Sequence, residues 1–148
     1  MKNLPRQITV DASLVVKWFL REDYSEQALN LLRAFQAGAV SLNAPTIMHY
    51  EVGNALWVLT ARRSQIDRQY AGEAYNSLLS LPLETVQLNS SSLREAFDRA
   101  CELSITLYDA TYLAVAERTG SQFVSADLDL VKRSRGAVDS IHLSELRI

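Results

Sequence analysis

The stretch "ITVDASLVVKWF", residues 8–19, decides how this chain is expected to fold. Three β-favouring residues, Ile8, Thr9 and Val10, lead directly into Asp11, and an apolar segment of helical character follows. Asp11 has two interpretations. It is either only the N-cap of the helix, accepting an orphan backbone N–H of the first turn, or a residue of a site at the end of the strand.

Segments of strand and helix character alternate along the rest of the chain. Strands are predicted at residues 7–10, 39–45, 83–88, 122–126 and 138–143. Helices are predicted at residues 24–37, 46–63, 68–81, 91–103, 109–120 and 128–134. The alternation predicts an α/β fold, a three-layer α/β/α sandwich on a parallel sheet of about five strands, as a single domain over residues 1–148.

Two of these helices begin with a capping-box pattern. Asp23 with Glu26 precedes the apolar stripe of the helix at 24–37, and Ser92 with Glu95 lies at the start of the helix at 91–103. The single cysteine, Cys101, lies among apolar positions of the second of these helices. We therefore expect a buried structural thiol and no disulfide within the chain.

The composition is that of a folded protein without a strongly charged surface. Of 148 residues, 48% are hydrophobic and 22% are charged, and the net charge is −2. Such a balance argues against a protein that coats nucleic acid through overall positive charge. It leaves open an enzyme whose acidic site is neutralised by metal. No segment has signal-peptide character or could span a bilayer, so the expected location is the cytoplasm, with no membrane partner.

Three aspartates lie where a parallel sheet gathers its functional groups. Asp11 and Asp127 each follow a predicted strand, and Asp109 opens a predicted helix. Because parallel strands point the same way, Asp11 and Asp127 leave the sheet from the same edge, where α/β proteins place their sites. Taken singly, each of the three could be only a helix cap.

Glu51 cannot be a cap, because it lies inside the helix predicted at 46–63. Its neighbours at helical spacing include the apolar Ile47, Met48 and Ala55, and no basic residue lies three or four positions away. A carboxylate on an apolar stripe is costly unless it is paired, binds a metal or reaches water at the stripe's edge. Four acids without a cation suggest a hard divalent ion, Mg²⁺ or Mn²⁺, of the kind that activates water for phosphodiester cleavage.

Several other site types are absent from the sequence. It has no GxGxxG, Walker A or GxSxG motif, and its two histidines, His49 and His142, lack metal-binding spacing and are interpreted as structural or surface residues. Ser13 stands where a haloacid-dehalogenase phosphatase needs a second aspartate, and no lysine ends a strand as a receiver domain requires. Candidates for contact with a phosphate backbone are Arg62, Arg63, Arg68, Lys132 and Arg133.

Four motifs in order resemble those of the PIN-domain family, and most closely the VapC-type toxin ribonucleases. They are "VDAS" with Asp11, "YEVGNAL" with Glu51, "LYDATYLAVAE" with Asp109 and "FVSADLDL" with Asp127. The resemblance implies that these four acids are catalytic and bind Mg²⁺ or Mn²⁺. It implies supporting roles for Ser13, Ser125 and Asp129, with Ser125 standing where threonine is commoner in the family.

The resemblance also implies an activity and partners. It implies metal-dependent endonucleolytic cleavage of RNA, a small antitoxin protein as inhibitor, and a homodimer. The alternative is a PIN-like domain that binds protein or RNA without turnover. Tyr50, Leu56, Trp57 and Leu59 cannot all share the helix face of Glu51, so exposed apolar surface for a partner is expected on this helix.

Overall fold

Five parallel strands form the central sheet of the structure, a computed structural model that describes residues 4–148. The strands are β1 (Arg6–Val10), β2 (Val40–Pro45), β3 (Glu84–Val86), β4 (Gln122–Ser125) and β5 (Ser140–His142). Their order across the sheet is β3-β2-β1-β4-β5, and every neighbouring pair is parallel. The predicted parallel sheet is confirmed, with β1 at its centre.

Helices connect the strands and flank the sheet, as predicted for an α/β/α arrangement. They are α1 (Ala12–Val16), α2 (Ser25–Gln36), α3 (Met48–Trp57), α4 (Arg68–Ser80), α5 (Ser90–Leu103), α6 (Leu107–Thr119) and α7 (Leu128–Ser134). Helix α6 packs along β1, β2 and β4, α2 packs on β2, and α7 packs on β4 and β5. Helix α5 packs on α6, and α4 packs on α3.

The second half of the central strand is buried, which explains its continuous run of β-favouring residues. Ile8, Thr9 and Val10 are all fully buried. The one polar side chain among them, Thr9, donates to the Asn43 side-chain oxygen at 2.5 Å, and the Asn43 amide donates to Ser121 Oγ at 2.9 Å. These bonds satisfy the buried polar groups and fix β1 against β2.

Two predicted capping boxes are wrong, because each helix begins at a different residue. Helix α2 begins at Ser25, after Tyr24 with a positive φ of 64°, and no side chain caps it. Helix α5 begins at Ser90, and the Asn89 side chain accepts the Ser92 N–H at 2.8 Å. In a run of adjacent serines and asparagines, the residue that reaches the first turn in the folded backbone becomes the cap.

The helix predicted at 46–63 is interrupted. Its α-helical part, α3, gives way to a π-helical turn at Val58–Arg62, in which the Arg63 N–H donates to the Val58 carbonyl oxygen at 3.0 Å. Helix α4 approaches α3 closely at Gly53, where an added Cβ would lie 2.8 Å from the Tyr75 ring. The Tyr75 hydroxyl donates to the His49 carbonyl oxygen at 2.7 Å, which holds the two helices together.

The buried thiol predicted at Cys101 is wrong, because this side chain is exposed. Helix α5 buries only a narrow stripe of small residues, Ala96 and Ala100, and Cys101 lies about 100° further round the helix. The exposed aromatic surface expected on α3 is present, since Tyr50 and Trp57 are largely exposed while Leu56 is buried. None of the helices in residues 4–148 combines the length and apolar character needed to cross a bilayer.

Candidate active site

Asp11 lies at the carboxyl end of β1 and is almost completely buried, with 4% of its surface exposed. Its Oδ1 accepts the Leu14 N–H at 3.1 Å and the Ser13 hydroxyl at 2.8 Å. Its Oδ2 accepts the Ser125 hydroxyl at 2.5 Å. The cap interpretation of Asp11 is therefore confirmed, because Oδ1 caps α1. Its other oxygen reaches Ser125 on β4, and the site interpretation stays a prediction.

Two serine hydroxyls connect Asp11 to the end of β4. Ser125 Oγ accepts the Asp127 N–H at 3.0 Å, and Ser13 Oγ accepts the Ala126 N–H at 3.2 Å. Each hydroxyl donates its single proton to Asp11. The 3.3 Å contact between Ser13 Oγ and Ser125 Oγ is therefore not a hydrogen bond. This network fixes the backbone that leads from β4 to Asp127.

Asp127 follows β4 and caps α7, since its side chain accepts the Leu130 N–H at 3.1 Å. It also lines an open cavity of about 510 Å³ together with Glu51 and Ser13. The sheet edge and α3 thus present two of the predicted acids to one cavity. Glu51 and Asp127 come from distant parts of the chain, which makes this convergence a property of the fold.

Glu51 is half-buried on α3, and its side chain is held by a residue of another helix. The hydroxyl of Tyr112, on α6, donates to Glu51 Oε1 at 2.7 Å. Tyr112 is itself buried against β1 and β4, where its ring lies beside Phe123. The predicted position of Glu51 on the apolar stripe of α3 is therefore stabilised by a donor from α6.

Asp109 lies in the first turn of α6, and it is not the cap of this helix. The cap is Thr106, whose hydroxyl oxygen accepts the Asp109 N–H at 3.0 Å. The prediction that Asp109 opens the helix is therefore wrong by two residues, because α6 begins at Leu107. The Asp109 carboxylate is not the cap, although the Thr106 hydroxyl favours its charged form.

Burial and mutual repulsion raise the pKa values of three of these acids. Burial raises the pKa of Asp11 to about 6, although Ser125, Ser13 and the Leu14 N–H favour its charged form, and the Asp109 charge adds to the increase. Burial also raises the pKa of Glu51, and the Asp109 charge raises it further. Burial likewise raises the pKa of Asp109, and the Asp127 charge adds to that increase. The acids therefore lie close enough to repel one another.

The charge of the four predicted acids is not neutralised by direct ion pairs in the described part of the chain. Within residues 4–148, none of the carboxylates of Asp11, Glu51, Asp109 and Asp127 takes part in a salt bridge. The donor set consists of carboxylate oxygens with serine hydroxyls behind them, which is the chemistry that Mg²⁺ and Mn²⁺ favour. In the part of the chain described, no three acidic, histidine or cysteine side chains are already placed to hold one ion. Their convergence on a common metal therefore stays a prediction.

Asp129 lies apart from this cluster. It forms a salt bridge with Arg133 at 2.8 Å, and 74% of its side chain is exposed. The His142 ring contacts Ser144 Oγ at 2.7 Å and the Ala126 carbonyl oxygen at 3.2 Å, so His142 is structural, as predicted.

Two residues at the site were missed from the sequence. Tyr112 follows Asp109 by three residues, which is the spacing of one helical turn and the signal that could have found it. Burial raises the pKa of Tyr112, and the Glu51 charge raises it further, so its hydroxyl keeps its proton and remains a donor. Lys17 lines the same cavity as Glu51 and forms a salt bridge with Glu22 at 2.9 Å.

None of the five basic residues proposed for phosphate contact belongs to the described lining of this cavity. Arg133 is paired with Asp129, and Arg68 lines a separate cavity between α3 and α4. Lys17 is the basic residue that the described lining of the acidic cavity contains. The sequence could not identify Lys17, because its place in the cavity lining depends on how the chain folds at the end of α1.

Comparison with known proteins identifies the family. The PIN domain family model matches residues 8–136. Ribonuclease VapC3 from Pyrobaculum aerophilum is 30% identical over 129 residues, covering 86% of this chain and 94% of VapC3. Exonuclease VapC9 from the same organism is 37% identical over 90 residues, covering 61% of this chain and 65% of VapC9.

A similar fold occurs among solved structures. The crystal structure of PAE2754 from Pyrobaculum aerophilum superposes with a TM-score of 0.72 at 24% sequence identity, covering 97% of this chain and 89% of PAE2754. At this identity the likeness concerns the fold. The family model and the VapC3 match both extend over most of the sequence, and the residues matched by the family model include all four acids. The chain therefore belongs to the PIN domain family, and within it to the VapC-type proteins.

Proposed function

We propose that this protein is an endoribonuclease that depends on Mg²⁺ or Mn²⁺ and acts as the toxin of a type II toxin–antitoxin pair. The observation that carries the proposal is the buried Asp11 carboxylate, held by three hydrogen bonds and surrounded by acids that no described basic side chain neutralises. A folded protein keeps such a costly group where its chemistry requires it.

The residues that would hold the metal are Asp11, Glu51, Asp109 and Asp127. When bound, the metal supplies Lewis-acid activation of water and neutralises charge on the phosphodiester that is attacked. Ser13 and Ser125 direct their protons at the two oxygens of Asp11, which fixes the carboxylate in one orientation. Tyr112 does the same for Glu51 from the opposite helix.

Lys17 supplies positive charge at the edge of the acidic cavity. Its side chain is mostly buried, and its Nζ is held by Glu22 in the same cavity wall. An ammonium group there would bind a phosphate oxygen of the RNA and place the backbone against the acids. This gives the site a contact to the substrate that does not depend on the RNA sequence.

An exonuclease is the second candidate, and the name of the relative VapC9 favours it. A circular RNA separates the two activities, because it has no end from which an exonuclease could begin. We expect the protein to cut circular RNA in Mn²⁺ or Mg²⁺ and to be inactive in EDTA. Degradation of linear RNA alone would contradict the endonuclease.

Asn substitutions test whether the acid cluster carries the activity. Asp11→Asn and Asp109→Asn should each abolish cleavage. The matched control is Asp98→Asn, which removes an exposed carboxylate paired with Arg94 on α5 and should leave the rate unchanged. RNA binding without cleavage by the wild type would instead support the non-catalytic binding module.

The partners proposed are a small antitoxin and a second copy of the chain, both supported by the exposed apolar face of α3. Expression of the wild type should arrest growth, and expression of Asp11→Asn should not. Co-expression of a short reading frame found upstream should restore growth and co-purify with this protein. Growth arrest by both forms would contradict a toxin that acts through this site. The cytoplasmic location stays a prediction.

A further inference from the structure

We propose that a nucleobase of the RNA, next to the bond that is cut, binds in a second cavity and stacks on the ring of Tyr108. This inference rests on the proposed function. The cavity, called here the Tyr108 cavity, has a volume of about 170 Å³ and is lined by residues that include Thr46, Ile47, Gln87, Leu88, Leu107 and Tyr108. It is separate from the acidic cavity that contains Glu51 and Asp127.

The Tyr108 cavity lies beside the acid cluster on the same edge of the sheet. Its floor includes Pro45 and Val86, the last residues of β2 and β3, and β2 is the neighbour of β1, which Asp11 follows. Because the strands are parallel, all these ends open on one side. A single-stranded RNA crossing this edge would pass from one cavity to the other.

Two of the segments that line the cavity, α6 and the start of α3, also carry an acid of the cluster. Tyr108 precedes Asp109 in the first turn of α6, so their Cα atoms are about 3.8 Å apart. Ile47 precedes Glu51 by four residues, about one helical turn or roughly 5.4 Å along the axis. A group bound in the cavity therefore contacts segments of the chain that also carry Asp109 and Glu51.

The lining of the cavity fits a base and does not fit a phosphate or a charged peptide side chain. Its described lining contains no charged residue. Tyr108 is 55% exposed, and Leu93 and Leu107 are also exposed, so the cavity offers an aromatic face and apolar walls to a planar ring.

Two polar side chains add contacts for the edge of a base. Gln87 and Thr46 lie in the cavity wall, and neither is hydrogen-bonded through its side chain to another residue of the described part of the chain. An amide can both donate and accept, as the edge of a base requires. A few polar groups in an apolar cleft are typical of a site that orients its ligand.

The experiment combines abasic RNA with substitutions at Tyr108. A short single-stranded RNA that the wild type cuts once is made with one base removed at each position around the cut. Affinity is measured by fluorescence anisotropy and cleavage by single-turnover kinetics, both in Mn²⁺. The full-length proteins are the wild type, Tyr108→Ala, Tyr108→Phe and the control Phe97→Ala, an exposed aromatic on α5 outside the cavity lining.

For the wild type, we expect removal of the base at one position to weaken binding and cleavage by about fivefold to 100-fold, the range of base–aromatic stacking. With the intact RNA, Tyr108→Ala should bind and cleave as weakly as the wild type does with the abasic RNA. Removing the base at that position should not weaken Tyr108→Ala any further. Tyr108→Phe keeps the ring and should behave as the wild type. Phe97→Ala should retain the penalty for the missing base. Because Tyr108 is exposed, its substitutions should leave the melting temperature nearly unchanged.

Three results would overturn the inference: equal effects of every abasic position, a penalty that persists in Tyr108→Ala, or wild-type behaviour of Tyr108→Ala with intact RNA. If the wild type binds RNA without cutting it, the proposed function fails. The abasic series is then read from affinity alone and still decides the inference. Absence of any RNA binding by the wild type would overturn both.

Discussion

At the scale of single residues, Asp11 has a structural role as a helix cap and a proposed role in the acid site. The helix cap explains why the chain tolerates an aspartate at the end of β1, but it accounts for only one of the two carboxylate oxygens. The second oxygen accepts the Ser125 hydroxyl, and burial raises the pKa of the carboxyl, as expected of a residue of the proposed site. Such a residue should destabilise the protein at neutral pH when no metal is present.

The pH dependence of stability tests this cost at Asp11. The native pKa of about 6 exceeds the ordinary value of 3.8, so between these pH values the native state binds more protons than the unfolded state. The free energy of unfolding therefore falls as pH rises through this window. In EDTA, the free energy of unfolding of Asp11→Asn minus that of the wild type should increase by about 2 kcal/mol between roughly pH 4.5 and 7.5. Urea unfolding curves measure it, and parallel pH profiles would contradict the prediction.

Asp109 offers a second test, because Thr106 and not Asp109 caps α6. Removing its charge relieves repulsion, and Asp109→Asn should raise the metal-free stability by about 0.5–2 kcal/mol. Added Mn²⁺ should stabilise the wild type more than Asp109→Asn, since ligand binding to the native state adds stability. Melting curves with EDTA and with Mn²⁺ measure both effects.

The matched control for Asp109 is Asp67→Asn. Asp67 caps α4 by accepting the Tyr70 N–H at 2.8 Å, and it lies outside the acidic cavity. Mn²⁺ should raise the melting temperature of Asp67→Asn by as much as it raises that of the wild type. If Asp109→Asn also gains as much as the wild type, Asp109 does not share the metal site.

At the scale of elements, α3 carries Glu51 and is held by α4 through the contact of Gly53 with Tyr75. Alanine in a helix is ordinarily more stable than glycine by about 0.5–1 kcal/mol. At Gly53 the added Cβ would lie within 3 Å of the Tyr75 ring and hydroxyl. Gly53→Ala should therefore destabilise the protein by about 1–3 kcal/mol, the usual cost of overpacking.

Gly72→Ala on α4 is the control for this prediction, because nothing lies within 4 Å of a Cβ added there. It should stabilise the protein by up to about 1 kcal/mol. Chemical denaturation of both variants gives the comparison. If Gly53→Ala is as stable as Gly72→Ala, Tyr75 moves aside at little cost, and the close packing of α3 on α4 does not constrain Glu51.

The elements also show what could be predicted from the sequence. The central strands were predictable, because a strand buried on both faces leaves a continuous run such as Ile8–Val10. The π-helical turn at Val58–Arg62 was not, because its i+5 hydrogen bonding has no side-chain signature. The cap of α5 was misplaced because several capping residues compete within one turn, whereas α2 begins after Tyr24 in a left-handed conformation and has no side-chain cap.

The candidate site was predictable as a set of acids and not as a network. Strand ends and the apolar stripe of α3 identified Asp11, Asp127 and Glu51 from local pattern. The bond between Tyr112 and Glu51 joins residues 61 positions apart, and no local pattern carries such a pairing. Asp129 could not be separated from Asp127 by spacing, because its salt bridge with Arg133 depends on the helix that follows.

At the scale of the whole molecule, the candidate functional residues lie at one edge of the sheet, and α3 exposes apolar surface to solvent. The acids, Lys17 and the Tyr108 cavity all lie where the parallel strands end. Trp57 and Tyr50, at 53% and 77% exposed, lie on the helix that carries Glu51. A partner bound to this face would therefore contact the element that positions an acid of the site. The single-domain organisation over residues 1–148 stays a prediction, since residues 1–3 lie outside the described part.

The homodimer is the last prediction, and it depends on Trp57. Large exposed aromatic side chains often supply most of the binding energy of an interface. We expect light scattering after size exclusion to give twice the monomer mass of 16.6 kDa for the wild type. Trp57→Ser should weaken the dimer by tenfold or more, about 1.4 kcal/mol or more. Phe97→Ser removes an aromatic of similar exposure, 51%, from α5 and should leave the dimer intact. A wild type that remains monomeric at all concentrations would contradict the homodimer. The co-purification experiment would then test whether the α3 face binds the antitoxin instead.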